Sequence, residues 1–153
     1  MNEGIVPNSR ALAWVIVPGN PDLGEQPYTS IRYDDFVEKL FKKEDPKLMF
    51  YHAISGLMTE AGEASDPIKA HCAYGREIDR ENVIEELGDL RFYMQAIMNM
   101  LGISEMEILN HNAAKLAKRY NGLVFSESAA NIRADKQEPV DRSDTQIYPL
   151  DNH

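Results

Sequence analysis

From residue 33 to residue 120 the apolar positions recur with the period of a helix, not with the alternation of a strand. Phe36, Leu40 and Phe41 are separated by four and five positions, with charged residues between them, and predict a first helix over residues 33–43. Asp45 and Pro46 open a second. The carboxylate can cap it, and proline suits a first turn that does not need its missing N–H. Leu48, Ile54, Leu57, Met58 and Ala61 carry this helix onward. Pro67 then deletes the hydrogen bond to the carbonyl of Glu63 and crowds the preceding turn, so a kink is expected at 63–67, with helix resuming over 68–71. Residues 73–78, with Gly75, read as a loop. Asp79 caps a third helix, and its apolar run from Val83 to Leu101 makes it the centre of the core, ending at Gly102. Ser104 and Glu107 form a capping box for a fourth helix, which Asn121-Gly122 stops near Tyr120.

The flanks differ. Residues 1–31 carry four prolines and three glycines and read as an irregular N-terminal arm. Its one apolar stretch, residues 11–17, suits either a strand or an arm laid on the core. Residues 136–153 turn polar and charged and read as a C-terminal tail. The expected organisation is an all-α, four-helix core in a domain over 32–135, with irregular arms at both ends.

Composition adds limits. The chain has 153 residues, 43% hydrophobic and 27% charged, enough apolar mass for one core. Its formal net charge of -9 repels phosphate backbones, so no nucleic-acid partner is expected. An acidic protein can still hold a small phosphorylated ligand if divalent cations bridge the two. The single cysteine, Cys72, has no internal disulfide partner and fits a reducing cytoplasm. No targeting signal stands out. The seven apolar residues at 11–17 are far short of the roughly 20 that span a membrane, so no membrane partner is expected.

The candidate chemistry lies in two acidic steps. Glu60 and Glu63 stand three apart on the second helix, and Glu86 and Asp89 three apart on the third, so each pair shares a helix face. Antiparallel pairing of these helices would converge four carboxylates on one small volume. Such a cluster must protonate in part or take up a cation, and hard oxygen ligands suit Mg²⁺, with Mn²⁺ able to substitute. Gly62 and Gly88 each cost about 1 kcal/mol inside a helix, which close approach of the two helices would offset. The competing reading of each pair is a solvated face.

Other residues carry two readings as well. Lys115 and Arg119, one turn apart on the fourth helix, either complement its dipole or grip phosphate oxygens. Asn112 lies three residues before Lys115 and can bond a sugar or phosphate oxygen. Lys69 and Arg76 are further cationic candidates near the acidic helices. His52, two turns before Glu60, is either a structural histidine or part of that face. Trp14 and Tyr74 can stack on a base or simply pack. There is no Gly-Lys-Ser/Thr phosphate loop and no Gly-x-Ser-x-Gly elbow.

At these residues the chain resembles the MazG-like family of all-α nucleotide pyrophosphohydrolases. The family pattern Glu-x-x-Glu then Glu-x-x-Asp appears as Glu60-Ala61-Gly62-Glu63 and Glu86-Leu87-Gly88-Asp89. Tyr74-Gly75-Arg76-Glu77-Ile78-Asp79 and the Asn-x-x-Lys-Leu-x-x-Arg-Tyr of Asn112 to Tyr120 match too. The likeness covers about residues 48–135, and Pro67 departs from it. The resemblance implies hydrolysis of a nucleoside triphosphate to the monophosphate and pyrophosphate, with Glu60, Glu63, Glu86 and Asp89 holding Mg²⁺. It also implies assembly as a homodimer or homotetramer. A compact phage-encoded branch, MazZ, shares the size and single-domain layout and implies dGTP or GTP as substrate. Other branches imply dUTP, dCTP or a broader housecleaning role. A helical oligomer that binds nucleotide without turnover is the reading of a different class.

Overall fold

A computed structural model describes residues 13–24 and 26–136. Within those bounds the chain is predominantly α-helical, with one two-stranded hairpin. Residues 11 and 12 of the apolar stretch, the first part of the arm and the tail beyond 136 lie outside the described residues. The chain divides into two compact units between Glu107 and Ile108.

The first unit opens with strand β1 (Trp14–Pro18) paired antiparallel to β2 (Tyr28–Arg32), Trp14 opposite Arg32 and Pro18 opposite Tyr28. This corrects the reading of residues 28–31 as irregular and resolves the apolar stretch as a strand. Tyr28 to Arg32 show no inside–outside alternation, so only the pairing partner defines them as a strand. Arg32 turns the corner into the first helix, ion-paired with the buried Asp34. Burial alone would raise the Asp34 pKa, but its hydrogen bonds from Arg32 and from the Asp35 amide hold it below the ordinary value.

Helix α1 (Tyr33–Leu40) ends three residues earlier than its charge pattern suggests. Phe41 leaves the helix in an extended conformation and sends its ring into the core, 5% exposed, stacked on His52 at 5.0 Å. Burial of that ring wins over continued helix on a polar surface. Helix α2 (Pro46–Glu63) starts as expected, with the Asp45 carboxylate accepting from the Lys47 amide.

The expected break follows at Ala64. Helix α3 (Ser65–Tyr74) places Pro67 in its first turn, buried, and the Ser65 hydroxyl donates to the Gly62 carbonyl at 2.6 Å. Helix therefore restarts at Ser65, ahead of Pro67, because proline is tolerated where no intrahelical donor is needed. It also runs through Ala73 and Tyr74, positions read as loop, until Gly75 closes it in the left-handed region at φ 64°. Helix α4 (Arg80–Leu101) has the expected ends: Asp79 accepts from the Asn82 amide, and Gly102 terminates it at φ 65°. Helix α5 (Glu105–Arg119) begins after Ser104, whose hydroxyl accepts from the Glu107 amide.

The core of this unit is small. Val37, Phe41, Ala53 and Ala96 are buried, ringed by Tyr33, Phe36, Met49, Phe92, Tyr93 and Ile97. It fixes α1 and α2 against α4. Of the three glycines on α2 and α4, only Gly56 is tightly covered: a Cβ there would stand 2.4 Å from the Tyr93 ring. That corrects the role expected of Gly62 and Gly88, around which a Cβ would meet nothing within 4 Å.

In the second unit, α5 gives way to a turn at Asn121–Leu123, where Gly122 takes φ 69°. A short helix α6 (Glu127–Ile132) follows, capped by Ser126.

Candidate active site

The α2–α4 pairing brings one face of each helix together. Glu60, Glu63 and Glu86 each offer a carboxylate oxygen, and these atoms lie within 4.8 Å of one another. Glu86 is buried at 8% exposure, Glu60 is half-buried and Glu63 is exposed, so the cluster runs from the helix interface outward. Asp89 belongs to the same field. It borders a cleft with Glu60, and its charge acts on Glu60 directly.

Electrostatics register the crowding. Burial, then the charges of Glu63, Asp89 and Glu86, and finally a hydrogen bond shared with Glu86 push the Glu60 pKa above the ordinary 4.5. Without a cation, this crowding favours a proton on Glu60. Three oxygen donors this close, with no lysine or arginine among them, fit a hard divalent ion such as Mg²⁺ or Mn²⁺.

Two side chains that sequence reasoning missed adjoin this arrangement. Asn82 donates from Nδ2 to Glu86 Oε1 at 3.1 Å. Tyr93 borders the Glu60–Asp89 cleft, and its hydroxyl is pushed up by burial and then by the charges of Glu60 and Asp89. Both were within reach of the sequence: Asn82 precedes Glu86 by four residues and Tyr93 follows Asp89 by four, the spacing that stacks side chains on one helix face. The cleft itself, about 400 Å³, is completed by Phe36, Leu40 and Phe92.

His52 packs as an aromatic ring, 5.0 Å from Phe41 and 5.9 Å from Tyr93 between centroids. Trp14 stands on the hairpin, 65% exposed, and is not among the side chains bordering the Glu60–Asp89 cleft. Lys69 lines a different cleft, between α3 and the start of α4. Asn112, Lys115 and Arg119 belong to the second unit. Asn112 and Lys115 are exposed there. Arg119 is engaged: Nε and Nη2 each donate to an oxygen of Asp135 at 2.7 Å, and the Asp135 side chain is 3% exposed. Those bonds hold the Asp135 pKa down to about 2 and raise that of Arg119.

Paired acidic steps on adjoining helices, beside an aromatic cleft, make a candidate site for a divalent cation. Residues 51–124, which contain both acidic steps and the Asn112–Arg119 segment, match the family model described as the MazG nucleotide pyrophosphohydrolase domain. Over that stretch the chain is a MazG domain, and members of this family are nucleoside triphosphate pyrophosphohydrolases. No curated protein and no solved structure matches the chain. Among the described residues no helix is long and apolar enough to cross a membrane.

Proposed function

We propose that this chain hydrolyses a nucleoside or deoxynucleoside triphosphate to the monophosphate and pyrophosphate in a Mg²⁺-dependent reaction, with Mn²⁺ able to substitute. The observation that carries this is the convergence of Glu60, Glu63 and Glu86 within 4.8 Å, beside Asp89, inside the MazG match. These four carboxylates are the ligands in this reading. When bound, Mg²⁺ supplies charge neutralisation and Lewis-acid polarisation of phosphate oxygens. The chain's own residues do the rest. Asn82 fixes the orientation of Glu86, and the cleft of Phe36, Leu40, Phe92 and Tyr93 takes the base and keeps water from it. A carboxylate of the cluster accepts a proton from the attacking water. The water oxygen bonds to the α-phosphorus, and the oxygen bridging to the β-phosphorus leaves with its bonding electrons as pyrophosphate.

Guanine nucleotides, dGTP and GTP, stand first among substrates on the shared layout with the compact MazZ-type branch; dUTP and dCTP are the alternatives. Self-association as a homodimer or homotetramer is supported by Ile84, Leu87, Met94 and Leu101, large apolar side chains of α4 that are each more than 40% exposed. The single free cysteine supports a cytoplasmic location.

The deciding experiment is to incubate the purified chain with each triphosphate and MgCl₂ and identify the products. Monophosphate with pyrophosphate is expected. Diphosphate with orthophosphate would contradict the reaction type. Glu63→Gln is expected to abolish turnover while leaving the helical circular dichroism unchanged.

A further inference from the structure

Two clefts open at opposite ends of the carboxylate cluster along α4. One is the apolar cleft bordered by Glu60, Asp89 and Tyr93. The other, about 500 Å³, lies between α3 and the start of α4, and Lys69, Arg76 and Asn82 line it. Asn82 joins this second cleft to the cluster through its bond to Glu86. Along α4 the order is Asn82, Glu86, Asp89, Tyr93, with steps of four, three and four residues that keep them on one strip. The strip spans about 16 Å of helix axis.

The two ends differ in chemistry. The Tyr93 end offers three aromatic rings and a leucine but no cation. The Asn82 end offers two cations, and among the described residues neither Lys69 nor Arg76 takes part in an ion pair. Three acids share that cleft, Asp66, Glu77 and Asp79. Two of them already serve the helices: Asp79 caps α4 and Asp66 lies in the first turn of α3, where the dipole favours an anion. The backbone that carries Arg76 is anchored. Its amide donates to the Ala70 carbonyl at 3.2 Å, and its carbonyl lies 2.7 Å from His71 Nδ1.

For a nucleotide with its base among the aromatic rings and its α-phosphate at the carboxylates, the strip along α4 offers a path for its tail toward Asn82. We propose that the α3–α4 cleft receives the β- and γ-phosphates, and hence the departing pyrophosphate, with Lys69 and Arg76 as the cations that grip it. This rests on the activity proposed above. In the reaction, water contributes the oxygen that the α-phosphorus gains. The α–β bridging oxygen stays with pyrophosphate, and the water's protons pass to a carboxylate and then to solvent.

The test compares wild type with Lys69→Gln, Arg76→Gln and the double variant, both positions being exposed and outside the core. With MgCl₂ present, product inhibition by pyrophosphate and by the monophosphate is measured, and pyrophosphate binding is followed by calorimetry. Each single variant is expected to weaken pyrophosphate about tenfold, as the loss of one charge-assisted contact does, with inhibition by the monophosphate unchanged. Unchanged pyrophosphate affinity in the double variant would overturn the proposal. So would selective loss of monophosphate affinity, which would reverse the direction of the substrate. Failure of the wild type to release pyrophosphate from any triphosphate would instead sink the proposed activity, and calorimetry would still decide the cleft on its own.

Discussion

Gly56 on α2 faces the ring of Tyr93 on α4 so closely that a single added methyl would sit 2.4 Å from two ring carbons. Phe92, His52 and Phe41 stand around the ring at centroid distances of 5.5, 5.9 and 6.5 Å, so it can yield only toward the cleft it borders and only by giving up those contacts. Gly56 and Tyr93 each lie four residues from an acidic group, Glu60 and Asp89, so this contact lies one helical turn from the acidic faces. Gly56→Ala is expected to destabilise the fold by about 1–3 kcal/mol, the usual cost of overpacking, and to weaken Mg²⁺ binding as well. Chemical denaturation and metal titration measure the two effects. A variant as stable as wild type would show that the helices separate without penalty.

Gly62 and Gly88 predict the opposite. With open space around the missing Cβ and helical neighbours on both sides, alanine at either position should raise stability by about 1 kcal/mol through helix propensity. Denaturant midpoints of Gly62→Ala and Gly88→Ala check this. A loss of stability would mean that something packs against those faces, a second copy of the chain being the first suspect.

Glu60→Gln should separate stability from metal binding. A carboxylate whose pKa is raised on folding costs stability while ionised, in full above the raised value, and the cost disappears as pH falls below the unfolded value near 4.5. Without metal at neutral pH, Glu60→Gln is therefore expected to melt higher than wild type, and the difference should shrink on acidification. With excess Mg²⁺ the order should reverse, since the variant lacks one proposed ligand and gains less binding energy than the wild type. Thermal scans with and without MgCl₂ would refute this if the variant melted lower in the absence of metal.

Asn82→Ala removes the partner of Glu86 Oε1 without touching a proposed ligand. Loss of an orienting hydrogen bond of this kind typically costs about 10–100-fold in metal affinity. Calorimetric titration with Mn²⁺ reads the effect directly. Equal affinity in variant and wild type would reduce Asn82 to a bystander.

In the second unit, the Arg119–Asp135 pair predicts an acid-sensitive contribution. The Asp135 pKa is depressed to about 2. Its stabilisation is thus complete above the unfolded value near 3.8 and is lost as pH falls through the folded one. Asp135→Asn should lower the denaturation midpoint at neutral pH, and the gap to wild type should close between about pH 4 and pH 2. A gap that stayed constant across that range would assign the effect to packing.

Local patterns were enough to locate most of the helices and both acidic steps. Asp45-Pro46, Asp79, Gly102 and Ser104 mark helix ends because capping is chemistry between near neighbours, and it reads the same in a sequence as in a fold. Glu60 shares a helix face with Glu63, and Glu86 with Asp89, for an equally local reason, the 3.6-residue turn, whereas the meeting of Glu86 with Glu60 and Glu63 comes from the packing of α2 on α4. Only the tertiary structure could show the strand at Tyr28–Arg32, which needs its partner β1, and the early end of α1, where burial of Phe41 outweighs a helical charge pattern. It alone moved the close helix approach from Gly62 and Gly88 to Gly56, and engaged Arg119 with Asp135 sixteen residues away. Helix ends and shared faces depend on residues a turn apart. Which glycine meets a ring, and which cation finds a carboxylate, depend on how separate segments pack, and no spacing along the chain encodes that.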